Sequence, residues 1–429
     1  MQANENNLDL AVNDLGPLAW VLDELRKSLE TASSALRRFV RDAETARGSE
    51  LGSVDSGQLR IARQQLHQAL GALEMVGLSA PGQVLRAMES AVQRFIEHPE
   101  LCSEGSAVKV ERAGFALTDY LEGLLHGKQV SSVALFPQYR DVQELAGADR
   151  AHPADLWQFD FRWLEPVATA GSGPLIYEAS VRTQFDKAVL RLVKSGDVSG
   201  LRQLALVCVG MSAAQTARQP KAFWQISAAF FQAISLGLSA PDVYVKRAAS
   251  RILLQYATLA KGEANVSDRL GQDLLFFCAQ SVPPQSADAS ALIAVRAAYG
   301  LQRFPPINYE STQFGRFDPL LLTQSRKRIA AAKESWSALA GGDVGKLRNV
   351  ADQFSLVCDS LVKLQPASEP LSKALTACVD ATVRSAQPPS TELAMEVATA
   401  ILYLEAAFQD LDPSDTQLAS RASRLADRL

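Results

Sequence analysis

The sequence predicts an all-α protein: an N-terminal four-helix bundle followed by a larger domain of helical hairpins. Apolar residues recur at alternating spacings of three and four through nearly every long segment, the period of a helix with one buried face. The breaks between these segments are short and marked by Gly, Pro or Asp. With 429 residues, 47% of them hydrophobic, the chain is also long enough for two or three domains with real cores.

The elements follow in order. Residues 1–14 are polar and acidic and read as a disordered N-terminus. Leu18, Leu22, Leu25, Leu29, Ala32, Leu36 and Phe39 form one stripe, the first amphipathic helix. Gly48 to Gly57, GSELGSVDSG, predicts a loop, and Leu59 to Val76 a second helix that ends at Gly77, a residue favoured at a helix C-cap. Pro81 opens a third helix that runs through Met88 to Ile96, and Val108 to Leu125 makes a fourth. Four helices joined by short connections within residues 15–127 predict an antiparallel bundle.

The period breaks across residues 128–174, a stretch carrying Pro137, Pro153, Pro166 and Pro174. Its alternating run, Trp157-Gln158-Phe159-Asp160-Phe161-Arg162-Trp163, predicts an extended strap with four rings on one surface, either a domain-junction anchor or a peptide-binding face. From 175 to 411 helices return, at Leu175–Lys194, Val198–Ala213, Lys221–Leu236, Ala240–Ala260, Val266–Ala279 and Ser286–Tyr299. After an aperiodic stretch at Phe304–Asp318 come Pro319–Leu339, Val344–Leu364, Glu369–Ser385 and Thr391–Leu411. No fixed repeat period is present. Residues 412–429 read as the start of a further helix with no Gly or Pro stop, which predicts a longer native protein.

Composition narrows the function. A formal charge of −4 and a pI near 5.8 argue against general binding of nucleic acid or membrane surfaces. No apolar run suits a membrane span or a signal peptide. The five cysteines lack a C-x-x-C pair and read as small buried hydrophobes in a reducing compartment, so a cytoplasmic location is expected. There is no P-loop, G-x-S-x-G, H-E-x-x-H or dinucleotide fingerprint, and His67, His98, His126 and His152 lack ligand spacing. No metal, no cofactor and no self-contained catalytic domain are expected.

One face stands apart. On the second helix the core stripe runs through Leu59, Ala62, Leu66, Ala69 or Leu70, Leu73 and Val76. His67 instead shares the outer face with Arg63, Gln64, Gly71 and Glu74. A glycine inside a helix costs about 1 kcal/mol relative to alanine, so Gly71 one turn beyond an exposed imidazole suits the close approach of another protein. An exposed imidazole is also a competent nucleophile for a phosphoryl group. The plain alternative is an ordinary surface histidine with a glycine that serves helix packing.

The run His67-Gln68-Ala69-Leu70-Gly71-Ala72-Leu73-Glu74-Met75-Val76-Gly77 resembles the histidine phosphotransfer (Hpt) motif, roughly H-x-L-K-G-x-A-x-x-x-G, with His67, Gly71 and Gly77 in register. Leu66-His67-Gln68 followed by Gly71-Ala72-Leu73-Glu74-Met75-Val76 is similar to the N-terminus of the chemotaxis-type hybrid histidine kinases of type IV pilus systems (ChpA/PilL-like) and to the related FimL-type scaffolds. This resemblance implies an Hpt-like bundle over 15–127 and a FimL-like helical region over 175–411. It further implies control of type IV pili and twitching motility, receiver domains of response regulators as partners alongside kinase and scaffold proteins of the pilus system, and recruitment to the cell pole. His67 would be the phosphoacceptor, with Arg63, Gln64, Gly71 and Glu74 on the phosphate and partner side. The chain departs from the motif at Leu70, where the family commonly has a lysine; Arg63 is the cation nearest in register. FimL-type proteins are expected to have lost the phosphoacceptor, so a non-catalytic scaffold is the rival expectation, and a generic helical adaptor a third.

Overall fold

The computed structural model describes residues 16–46, 56–169, 173–284, 289–365, 368–409 and 417–429. The expected N-terminal disorder and most of the Gly/Ser loop before the second helix lie outside them. The described residues form sixteen α-helices, a few single 3-10 turns and no strand, as the helical period requires. Two compact units divide between Phe314 and Gly315.

The first unit begins with α1 (Gly16–Thr45), α2 (Gly57–Val76), α3 (Ser79–Glu97) and α4 (Glu104–Leu125). α1 packs on α2 and α4, and α3 on α2. The stripe read from the sequence is the one that is buried: Leu18, Leu22, Leu25, Leu29, Ala32, Leu36 and Phe39 on α1 meet Leu59, Ala62, Leu66, Ala69, Leu70 and Leu73 on α2. Gly77 ends α2 in the left-handed region, φ +81°, with its N–H and that of Leu78 both donating to the Leu73 carbonyl.

A further helix, α5 (Phe136–Ala146), stands where the sequence reading placed a linker. Pro137 sits in its first turn, where proline loses no helical hydrogen bond and its φ suits the helix. α5 packs on α3 and α4, and Arg94 of α3 donates to the Leu145 carbonyl at 3.1 Å, closing the C-terminus of α5.

The aromatic run is extended, with Gln158, Asp160 and Arg162 outward and the rings inward. Trp157 stacks on Phe159 at 4.4 Å, and Phe161 and Trp163 lie over Gly271, where a β-carbon would stand 2.6 Å from Phe161 and 2.8 Å from Trp163. The Trp163 indole N–H donates to Asp268 at 2.6 Å, and the Tyr299 hydroxyl is hydrogen-bonded to both the amide and the carbonyl of Leu164. Trp157 is buried, and Phe159, Phe161 and Trp163 pack half-buried against this chain's own core.

α6 (Ala179–Ser195), α7 (Leu201–Ala213), α8 (Arg218–Ser235), α9 (Val243–Ala260), α10 (Asp268–Gln280) and α11 (Ser290–Ala298) complete the unit. α6 starts four residues later than its period suggests, because the Leu175 amide donates to the Gly210 carbonyl of α7 at 2.9 Å and holds that segment extended. α7 packs on α8, α8 on α10 and α11, and α6 on α9. One continuous apolar core runs from Leu18 to Leu301.

The second unit consists of α12 (Pro319–Ala340), α13 (Leu347–Leu364), α14 (Glu369–Ser385), α15 (Thr391–Gln409) and α16 (Gln417–Ala426) around its own core. Trp336 is buried there, with its indole N–H donating to the Ala394 carbonyl at 3.1 Å. Four of the five cysteines are buried, Cys378 is half-buried, and all are free thiols.

Candidate functional site

The outer face of α2 is set by its inner one. With Leu66, Ala69, Leu70 and Leu73 committed to the core, the helical period turns Arg63, Gln64, His67, Gly71 and Glu74 to solvent, and all five are exposed. The His67 side chain is 72% exposed.

The turn at Gly77 and Leu78 folds α3 back along α2, so residues at similar distances from it face each other. His67 meets Glu89 there. Its Nδ1 lies 3.2 and 3.4 Å from the two carboxylate oxygens, and the Arg63 Nε lies 3.6 Å from one of them. Nearer the hairpin, Arg86 pairs with Glu74. An Nδ1–H donated to Glu89 leaves the lone pair on Nε2, the nitrogen that points away from α3, and that is the form in which an imidazole attacks an electrophile. Glu89 of α3 thus brings His67 and Arg63 together and Arg86 meets Glu74, while Gln64 and Gly71 share only the exposed face of α2.

The cation balance differs from the motif. Leu70, at the lysine position, is only 7% exposed and packs against Gly82 of α3, so this position supplies apolar packing and no cation. Arg63 is held by Glu89 and Arg86 by Glu74. The two arginines beside the imidazole are thus each paired with a carboxylate.

Gly71 serves no packing contact. A β-carbon built there meets no atom within 4 Å. The surface is low because nothing stands on it, and Met75, one turn further along the same face, is 81% exposed. A flat patch with an adaptable apolar side chain at its edge is the shape a partner helix can cover. Met75 is a further residue the sequence reading left out, although the i, i+4, i+8 spacing of His67, Gly71 and Met75 could have found it.

Among the described residues no group of His, Cys, Asp or Glu is arranged to hold a metal ion, and no helix is long and apolar enough to cross a membrane.

Residues 172–312 match the family model described as FimL scaffold protein second domain, a stretch that spans α6 to α11. No curated protein and no solved structure matches the chain. The α2 face lies outside the matched residues.

Proposed function

We propose that this protein is a FimL-like scaffold of a type IV pilus signalling system, which works by holding partner proteins together rather than by chemistry of its own. The match of residues 172–312 to the FimL scaffold second domain carries this reading. The α2 face supports it: an open glycine, an exposed methionine and charges that neutralise each other within the chain favour contact over phosphate chemistry. The partner proposed for that face is a receiver domain, whose approach within contact distance Gly71 permits.

The test is biolayer interferometry of the full chain against purified receiver domains of the chemotaxis class. Gly71→Arg should weaken binding at least ten-fold with helicity unchanged, and His67→Gln should leave it within two-fold. Binding indifferent to Gly71→Arg removes the α2 face from the reading.

A second reading rests on one observation, Glu89 against the His67 Nδ1 with Nε2 outward. In it, Nε2 attacks the phosphorus of a receiver acyl phosphate, the P–O bond to the aspartate breaks, and the proton on Nδ1 remains shared with Glu89. Incubation with a phosphorylated receiver would then leave acid-labile, base-stable label that His67→Gln abolishes. An unlabelled wild-type chain ends this reading and leaves the scaffold standing.

A further inference from the structure

A half-open cleft of about 510 Å³ lies where α6, α9 and the segment before the aromatic strap meet. One face of α9 lines it: Val243, Lys246, Arg247, Ser250 and Arg251 follow the i, i+3, i+4, i+7, i+8 spacing of a single helical stripe. Arg150 and His152 close one side and Val193 of α6 another.

Asp273 of α10 forms the floor. Its side chain is 2% exposed, and it accepts from Arg150 at 2.7 Å and Arg251 at 2.8 Å, with the Arg269 Nε at 3.6 Å. Buried between three guanidinium groups, this carboxylate is fully committed. His152 adds no charge. The Ala154 amide donates to its Nδ1 at 3.1 Å, which puts the ring proton on Nε2, and burial holds its pKa down at about 3 against the pull of Asp273.

Two cations are left over. Lys246 and Arg247 line the cleft with no carboxylate partner among the described residues. The cleft thus holds four cations, Arg150, Lys246, Arg247 and Arg251, against the two carboxylates Asp149 and Asp273, in a chain whose formal charge is −4.

We propose that this cleft binds a small phosphomonoester of nucleotide size, its phosphate between Lys246 and Arg247 and its body along Val193 and Val243. A phosphate dianion neutralises both unpaired cations, whereas a carboxylate leaves one uncompensated. The volume is several times that of a bare phosphate and lies in the range of small-molecule pockets, about 300–1,000 Å³. Ala151, Val193, Val243, Tyr244 and Ala248 supply the apolar part of the lining, against which an apolar or aromatic body of the ligand would lie. The proposal stands apart from the α2 face and from the scaffold reading, and either can fail alone.

Isothermal titration calorimetry on the full chain tests it, with adenosine 5′-monophosphate, adenosine, inorganic phosphate and a short poly-glutamate as probes at constant ionic strength. The monophosphate should bind saturably at one site, at least ten-fold tighter than adenosine or inorganic phosphate, and more weakly as salt is raised. The double variant Lys246→Glu/Arg247→Glu should lose the binding. Lys246→Gln/Arg247→Gln should weaken it at least ten-fold with the circular dichroism melting curve unchanged, since neither side chain holds a structural partner. Monophosphate binding that survives in both variants overturns the proposal, as does absence of saturable binding. Poly-glutamate binding without monophosphate binding overturns it too, and assigns the cleft to an acidic protein segment.

Discussion

Arg296 offers the sharpest test of how the first unit is held together. α10 ends at Ser281 in extended conformation with no backbone cap, so its last carbonyls need other donors. The Ser281 hydroxyl satisfies Phe277, and Arg296, reaching across from α11, donates through Nη1 to the carbonyls of Cys278 (2.7 Å), Ala279 (2.7 Å) and Ser281 (2.9 Å). Two N–H bonds serve three acceptors, so one is shared. Arg296→Met keeps the apolar stem and removes the donors. Hydrogen bonds to a charged group contribute about 1.5–3 kcal/mol each, and the guanidinium recovers part of its desolvation cost when it is gone. The expected net loss is about 3 kcal/mol. Urea unfolding followed by tryptophan fluorescence reads this directly: with a slope of about 3 kcal/mol/M, the midpoint of the transition that reports the first unit should fall by about 1 M. Native-state hydrogen exchange should show the loss at the C-terminal turn of α10 first. A midpoint shift below about 0.3 M with α10 protection intact would refute the capping argument.

Gly271→Ala should destabilise the first unit by about 1–2 kcal/mol. The helix-propensity gain of about 1 kcal/mol is outweighed by a β-carbon placed 2.6 Å from Phe161, and a red shift of Trp163 emission should report the displaced strap. A net gain in stability would show that the strap yields without cost. Gly71→Ala, by contrast, should stabilise by about 1 kcal/mol in thermal or urea melts, because its β-carbon meets nothing; a loss would reveal a contact the fold does not show. His152 makes stability depend on pH. Its folded pKa of about 3 lies below the ordinary 6.5, so between those values the unfolded chain binds the extra proton. Stability is complete above about pH 6.5 and falls by about 1.4 kcal/mol per pH unit as pH drops through that window. His152 faces Asp273, Arg150, Arg251 and Arg269, and His152→Gln should flatten the slope between pH 6 and 4.5 in urea midpoints. An unchanged slope would place the dependence elsewhere.

What the sequence by itself determined was whatever repeats along a single helix. The period of 3.6 put Leu59, Ala62, Leu66 and Leu73 inside and His67, Gly71 and Glu74 outside, and it placed Gly77 where α2 has to stop. These follow from chain geometry, which needs no partner. Alternation likewise set the strap's rings on one side of an extended segment. Tertiary structure decided everything that depends on which elements meet. Glu89 becomes the partner of His67 only because the hairpin at Gly77 has one register, and α5 became visible only through its packing on α3 and α4. Phe161 and Trp163 pack closely on α10 because Gly271 lies beneath them. The Asp273 floor draws on Arg150, Arg251 and Arg269, and the α10 cap on Arg296. In each case the energy resides in contacts between residues distant in sequence, made in a desolvated interior where an unpaired charge or carbonyl is costly. No local pattern records them.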